Sequence, residues 1–339
     1  MLHYQQRASA GLIVTEGVYP SEMGKGYLFS PGLCTDAHAA GWQQVTDAVH
    51  EKGGAIFAQL MHVGRLSDPL LLNGAQPVGA SAVQPDPTAR HYTVTCPRPK
   101  RAYPEPRALT TTEVYAVIED YRRSAALAKK AGFDGVEIHA ASGYLPMQFL
   151  STNTNLRSDE FGGSLENRSR FLLAIVDAIA ADQGSAFAAA KLSPGWTFHN
   201  VFDDDAPATY SYVTKELSKR HIAYLQVGNY GMDWDVYATL RPLFDGPFMT
   251  VASFTRKSAA EMIAAGGTDL VGFGQAFIAN PDLAERFRNG WEINRPDIAT
   301  YYSQGAEGYT DYPFHGHSTR DDLLPTDAPL VPVSADVTG

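Results

Sequence analysis

The chain of 339 residues has only two cysteines, Cys34 and Cys96, and they form no CxxC or Cys/His spacing. Neither a disulfide framework nor a metal site is indicated, and a reducing, cytoplasmic setting is expected. Positive charge is also scarce: 27 Lys and Arg stand against 37 Asp and Glu, a formal net charge of −10. That balance disfavours nucleic acid or an anionic membrane as a partner, since both need concentrated basic side chains. No apolar run approaches the length needed to span a bilayer, and the start, MLHYQQRASAGLIVTEG, lacks a basic segment followed by an apolar one; no span and no export signal are read. Finally, no GxGxxG follows any apolar run, which removes support for a dinucleotide-binding doubly wound sheet.

What is present is a 44% hydrophobic chain, long enough to bury a large single core. Short apolar runs recur at Gly11–Thr15, Ala55–Leu60, Gly135–His139, Ala188–Ser193, Ile222–Val227, Phe248–Ala252 and Leu270–Gly274, and each reads as a buried strand. Helical patterns lie between them. In Thr112–Ala131, Val114, Val117, Ile118, Tyr121, Ala125 and Ala128 make an apolar stripe, and Thr110 with Glu113 supplies a capping box. Parallel strands alternating with helices predict an α/β fold of the (β/α)8 barrel type. Seven strands are counted where eight are wanted, so the first strand of the barrel is expected to be missing ahead of Met1. The barrel is read as one domain over residues 1–314. Residues 315–339 are read as an extension, draped on the surface or, through Leu330–Ala335, standing in for the absent strand. The long proline-rich loop Leu66–Arg107 is expected to shape a pocket rim.

Active sites of such barrels lie at the C-terminal strand ends. There the strand Gly135–His139 runs into Ala-Ala-Ser142-Gly-Tyr144, clustering an imidazole, a hydroxyl and a phenol. His139 is suited to polarise a carbonyl and Tyr144 to deliver a proton; capping and rim packing are the plain alternative. His62, close after Gln59 at another strand end, is a candidate to touch substrate, with structural packing as the equal alternative. Asp203–Asp205 reads as a solvated loop rather than a cation site, and the Asn167-Arg-Ser169 sequon as idle.

The stretch HAASGYLPMQFLSTNTNLRSDEFGGSLENRSRF from His139 resembles the signature of the Old Yellow Enzyme family, flavin-dependent ene-reductases built on an eight-stranded barrel. QRASAGLIVTEG, IFAQLMHVGR, FDGVEIH, KLSPGWTF, GFGQAFIANPDL and GAEGYTDYP extend the resemblance, in the family's order, nearly to Pro313. It implies FMN over the strand ends, NADPH or NADH as reductant, and a small enone-type substrate; a homo-oligomer stays open. It also implies site roles. His139 and Ser142 would hold the substrate carbonyl and Tyr144 would protonate the α-carbon. Gln59 and Lys191 would meet the flavin pyrimidine edge and Gly17 the ring, Ser253, Gly274 and Gln275 would lie at the phosphate, and Met61, His62 and Tyr309 at the pocket.

Five features depart from the family pattern. The opening strand is absent, Lys191 replaces an Arg fork, and Ala252-Ser253-Phe254 replaces a glycine-rich turn. Gln275 removes a charged phosphate contact worth about 1.5–3 kcal/mol, and Ser142 takes the place of a His or Asn. Weakened flavin binding is therefore expected. Two other readings use the same residues: a flavin-independent enzyme isomerising or cyclising an enone with Tyr144 and His139, and a non-catalytic barrel or subunit.

Overall fold

A computed structural model describes residues 1–86, 90–92, 100–197, 199–301, 305–317 and 323–330; Cys96 lies outside them. Seven parallel strands, β1 (Ile13–Val18), β2 (Ile56–Leu60), β3 (Gly135–Ala140), β4 (Ala188–Leu192), β5 (Leu225–Gly228), β6 (Phe248–Val251) and β7 (Leu270–Gly272), neighbour one another in chain order. They form a curled sheet in which β1 and β7 are the edges. Among the described residues no eighth strand joins those edges.

Alternation along the strands separates two cores. Outward-facing Ile56, Ala58, Leu60, Val136, Ile138, Ala190, Leu192, Leu225, Val227 and Phe248 pack in one large cluster with the helices. These are chiefly α2 (Asp36–His50), α3 (Thr111–Lys130), α5 (Leu165–Gln183) and α6 (Ala206–Ser218), which follow α1 (Leu2–Gln6) and, for the last two, α4 (Leu145–Leu150). Inward-facing Phe57, Ala189, Tyr224, Met249 and Val251 fill the barrel floor as a second cluster. The capping box of α3 is present as read: the Thr110 hydroxyl accepts from the Glu113 N–H, and the Glu113 carboxylate accepts from the Thr110 N–H.

The remaining helices are α7 (Val236–Leu240), α8 (Arg256–Ala264), α9 (Gln275–Ala279) and α10 (Leu283–Asn289). Arg7, at the end of α1, links the two edges of the sheet. It is 5% exposed, and its guanidinium donates to the carbonyls of Phe277 (2.7 Å), Ile278 (2.6 Å), Tyr309 (3.1 Å) and His3 (2.8 Å). The carbonyls of α9, which no helical turn follows, thereby gain a charged donor. Arg65 does the same for the rim. Its Nη1 donates to Val83 O at 2.9 Å, and its Nη2 to His199 O and Asn200 O at 2.7 and 2.8 Å, so the long loop is fastened to the loop after β4. In the tail, Leu324 pairs antiparallel with Ile293, and Leu324 and Leu330 pack on Ala276, Leu283 and Ile293. The segment 331–335 proposed for the gap lies outside the described residues.

Two consequences are testable. Arg7→Ala leaves several carbonyls without their donor and is expected to lower stability by about 2–3 kcal/mol, seen as a lower denaturant midpoint at unchanged slope. His62 is fully buried, and burial holds its pKa down to about 4; His3 is also held to about 4, by burial and then by Arg7. The unfolded chain takes up those protons first, near pH 6.5. Stability is therefore complete above that pH and falls as pH drops toward 4, by about 1.4 kcal/mol per unit from His62 alone. Denaturant midpoints at pH 7.5 and pH 5 measure the loss; equal midpoints contradict it.

Candidate active site at the strand ends

The site is built on the exit of β3. After Ala140 the chain turns through Ser142 (φ 56°) and Gly143 (φ 79°), two left-handed residues in succession. For a serine this costs about 1–2 kcal/mol. The turn is held by buried groups: the Ser142 N–H donates to Ser193 Oγ at 2.9 Å, and Gln148 Nε2 donates to Gly143 O at 2.8 Å and Val63 O at 3.0 Å. It throws Tyr144 back over the strand end, so that its ring meets His139 edge-on at 4.7 Å with an interplanar angle of 86°.

His139 is 5% exposed, and its Nδ1 has no hydrogen-bond partner among the described residues. Burial first, and then the Lys191 cation, push its pKa well below the usual imidazole value. The ring is thus neutral near pH 7, a hydrogen-bond donor and acceptor without charge. Tyr144 packs on Met61, Val63, Leu66 and Tyr103, and its hydroxyl lies 2.8 Å from that of Tyr27.

One layer down, Gln59, Glu137, Lys191 and Gln226 lie on the inward face, Gln59 aligned with Glu137, and Lys191 with both His139 and Gln226. Gln59 Nε2 donates to Glu137 Oε1 at 2.7 Å. Glu137 is wholly buried; desolvation raises its pKa, while Lys191, Gln59 and Tyr224 act the other way. At Gly17 a Cβ would come within 2.4 Å of the Met61 thioether, so glycine there leaves room for Met61 to pack across the strands.

The opposite rim carries Ser253, Gly274 and Gln275. Ala252 (φ 89°) and Ser253 (φ 58°) adopt the left-handed backbone expected of a glycine turn, despite their Cβ atoms. Gly274 caps α9, and a Cβ on it would meet nothing within 4 Å. Open space at Gly274, beside the start of a helix and near a left-handed turn, suits a phosphate. In barrels generally, phosphate sites lie after the last two strands. Together with the cation of Lys191 and the amide of Gln59, these residues supply the charge and donors that an anionic cofactor such as FMN calls for.

The remaining candidates are tied by contacts of their own. His62 reaches no open surface: it is fully buried, its Nδ1 accepts from the Gly64 N–H at 3.1 Å, and it packs beneath the rim. Tyr309 donates its hydroxyl to Tyr301 O, and its carbonyl accepts from His3 and Arg7. Asp203 is a buried anchor: its carboxylate pairs with Arg168 at 3.4 Å and accepts from Thr209, while Asp205 caps α6. The solvated-loop reading is corrected for Asp203, because those donors draw it inward. Among the described residues no cluster of His, Cys, Asp or Glu could hold a metal, and no helix is long and apolar enough to cross a membrane. Sequence reasoning missed Glu137, Gln148 and Tyr27. Glu137 had a signal, since it sits two residues before His139 and shares its face; Gln148 and Tyr27 had none.

A family model described as NADH:flavin oxidoreductase / NADH oxidase matches residues 1–294. The chain is 38% identical to a putative 12-oxophytodienoate reductase 5 of Oryza sativa subsp. japonica, over 92% of this chain and 84% of the rice protein. It is 38% identical to a probable flavin mononucleotide-dependent alkene reductase of Leishmania infantum, over 92% of this chain and 87% of the other. Morphinone reductase in complex with tetrahydroNAD superposes with a TM-score of 0.89 at 42% identity, covering 94% of this chain and 89% of that one. The old yellow enzyme homologue from Zymomonas mobilis gives 0.88 at 37%, covering 92% and 88%. With a model match across most of its length and such relatives in both sequence and structure, the chain belongs to the NADH:flavin oxidoreductase / NADH oxidase family, the Old Yellow Enzymes.

Proposed function

We propose that this chain reduces the C=C bond of an α,β-unsaturated carbonyl compound, using FMN and a reductant of the NADPH or NADH type. The observation that carries this reading is the His139–Tyr144 pair: a neutral imidazole and a phenol, edge to face at 4.7 Å, at the C-terminal end of a barrel strand. FMN, when bound, supplies the two-electron chemistry that accepts hydride from the nicotinamide and passes it to the alkene. The side chains do the rest. His139 donates a hydrogen bond to the substrate carbonyl with Ser142 beside it, which drains charge from the alkene and stabilises the enolate-like transition state. Tyr144 gives its hydroxyl proton to the α-carbon. Gln59 and Lys191 would hold the pyrimidine edge, Gly17 would meet the ring through its backbone, Ser253, Gly274 and Gln275 would receive the phosphate, and Met61 would line the substrate pocket. Tyr309 is assigned to the far pocket wall, and His62 to packing. The relatives named above lend no support to a flavin-independent or a silent barrel.

Turnover of 2-cyclohexenone with NADPH in D2O tests the reading. One deuterium is expected at the α-carbon, from the exchangeable Tyr144 hydroxyl, and protium at the β-carbon; a product without α-deuterium, or no reduction at all, rules the assignment out. Tyr144→Phe is expected to slow enone reduction by roughly 10²–10⁴-fold, whereas bleaching of the flavin by NADPH keeps its rate. Because His139 is already neutral, KM for the enone is expected to stay flat from pH 6 to 8. Lys191→Met is expected to weaken FMN binding about tenfold, or about 1.4 kcal/mol, by flavin-fluorescence titration.

A further inference from the structure

Protonation of a substrate leaves Tyr144 as a phenolate, and the next turnover needs that proton back. The geometry points to Tyr27 as the residue that returns it: a solvent-side phenol that acts through Tyr144 and not on the substrate. The inference rests on the alkene-reductase reading above. Tyr27 Oη lies 2.8 Å from Tyr144 Oη, and either oxygen can be the donor. Tyr27 is 41% exposed, so the pair spans from the pocket to the surface. On its other side Tyr144 packs against Met61, Val63, Leu66 and Tyr103, all buried.

The loop that carries Tyr27 is positioned for this contact. A Cβ at Gly26 would lie 2.6 Å from Val63 Cγ1 and 3.0 Å from Leu66 O, so only glycine lets the loop settle so low over the end of β2. The settled loop is fixed by the Ser67 hydroxyl, which donates to Lys25 O at 2.6 Å, and by the Val63 N–H, which donates to Gly24 O at 3.1 Å. Tyr27 is therefore held against Tyr144 by backbone-level contacts, although it sits on an exposed loop.

The step balances without an added oxidant or reductant. The Tyr144 O–H bond breaks as the α-C–H bond forms. The Tyr27 proton then moves to the Tyr144 oxygen, and water or a buffer acid reprotonates Tyr27. Over one turnover the alkene gains a hydride from the reductant and one proton from solvent. With substrate or product filling the pocket, water reaches Tyr144 slowly from within, and a hydrogen-bonded phenol at the surface offers the shorter route.

Tyr27→Phe in the FMN-loaded protein separates this role from a structural one. Tyr144 begins protonated, so the first turnover of pre-reduced enzyme with 2-cyclohexenone in stopped flow is expected to keep its rate within about twofold. Steady-state turnover is expected to fall about tenfold or more and to be restored by imidazolium buffer, with the FMN dissociation constant and melting temperature unchanged. Tyr27→His, which keeps a transferable proton, is expected to turn over faster than Tyr27→Phe. Equal slowing of the first turnover and the steady state, without buffer rescue, would show that Tyr27 only orients Tyr144 and would overturn the relay; so would no change in either. If the wild-type protein itself fails to reduce the enone, the parent reading fails before the relay is tested.

Discussion

Glu137 places a carboxylate inside the barrel, fully removed from solvent, where an uncompensated charge costs several kcal/mol. Burial pushes its pKa up; three neighbours act against that rise: the Lys191 cation, the Gln59 amide and the Tyr224 hydroxyl. Of these, Gln59 is fixed in orientation by a direct hydrogen bond to the carboxylate. Gln59 spends one amide N–H inward at 2.7 Å, and Lys191, one strand further on, feels Glu137 on one side while acting on His139 on the other. The same cation that moderates the cost of Glu137 helps keep His139 neutral. Floor, polar middle layer and active-site histidine are in this way coupled, and a substitution at any of the four leaves the others with a poorer set of partners.

Above that layer the chemistry depends on two folded-back loops. The Ser142–Gly143 turn accepts backbone strain to set Tyr144 edge-on to His139, and Gln148 stabilises it from below through two carbonyls. Arg65 and Gly26 bring the rim loops inward. Strain at a strand end is affordable where buried hydrogen bonds over-determine the turn, and here they come from residues that touch no substrate.

The architecture was legible in the sequence because buried parallel strands write themselves as short apolar runs. All seven were found, with ends displaced by at most three residues: Ile222–Val227 begins in the structure only at Leu225, since the preceding residues supply the approach to the sheet. The Thr110–Glu113 box was readable because it is local. His139 and Tyr144 stood out by chemical type at a strand end. The rest depends on contacts between distant segments. Tyr27 meets Tyr144 across 117 positions, His62 follows a strand yet turns beneath the rim, and Asp203 is drawn inward by Arg168. Ala252 and Ser253 take the left-handed backbone that glycine would have given, with their Cβ atoms in place.

The visible absorption spectrum of the purified protein, taken after incubation with FMN and desalting, bears most directly on whether these strand ends hold a flavin beside Tyr144. A retained flavin band, bleached by NADPH and restored by an enone, is the result required by the Gln59, Lys191 and Gly274 assignments. A colourless protein that takes up no FMN contradicts them.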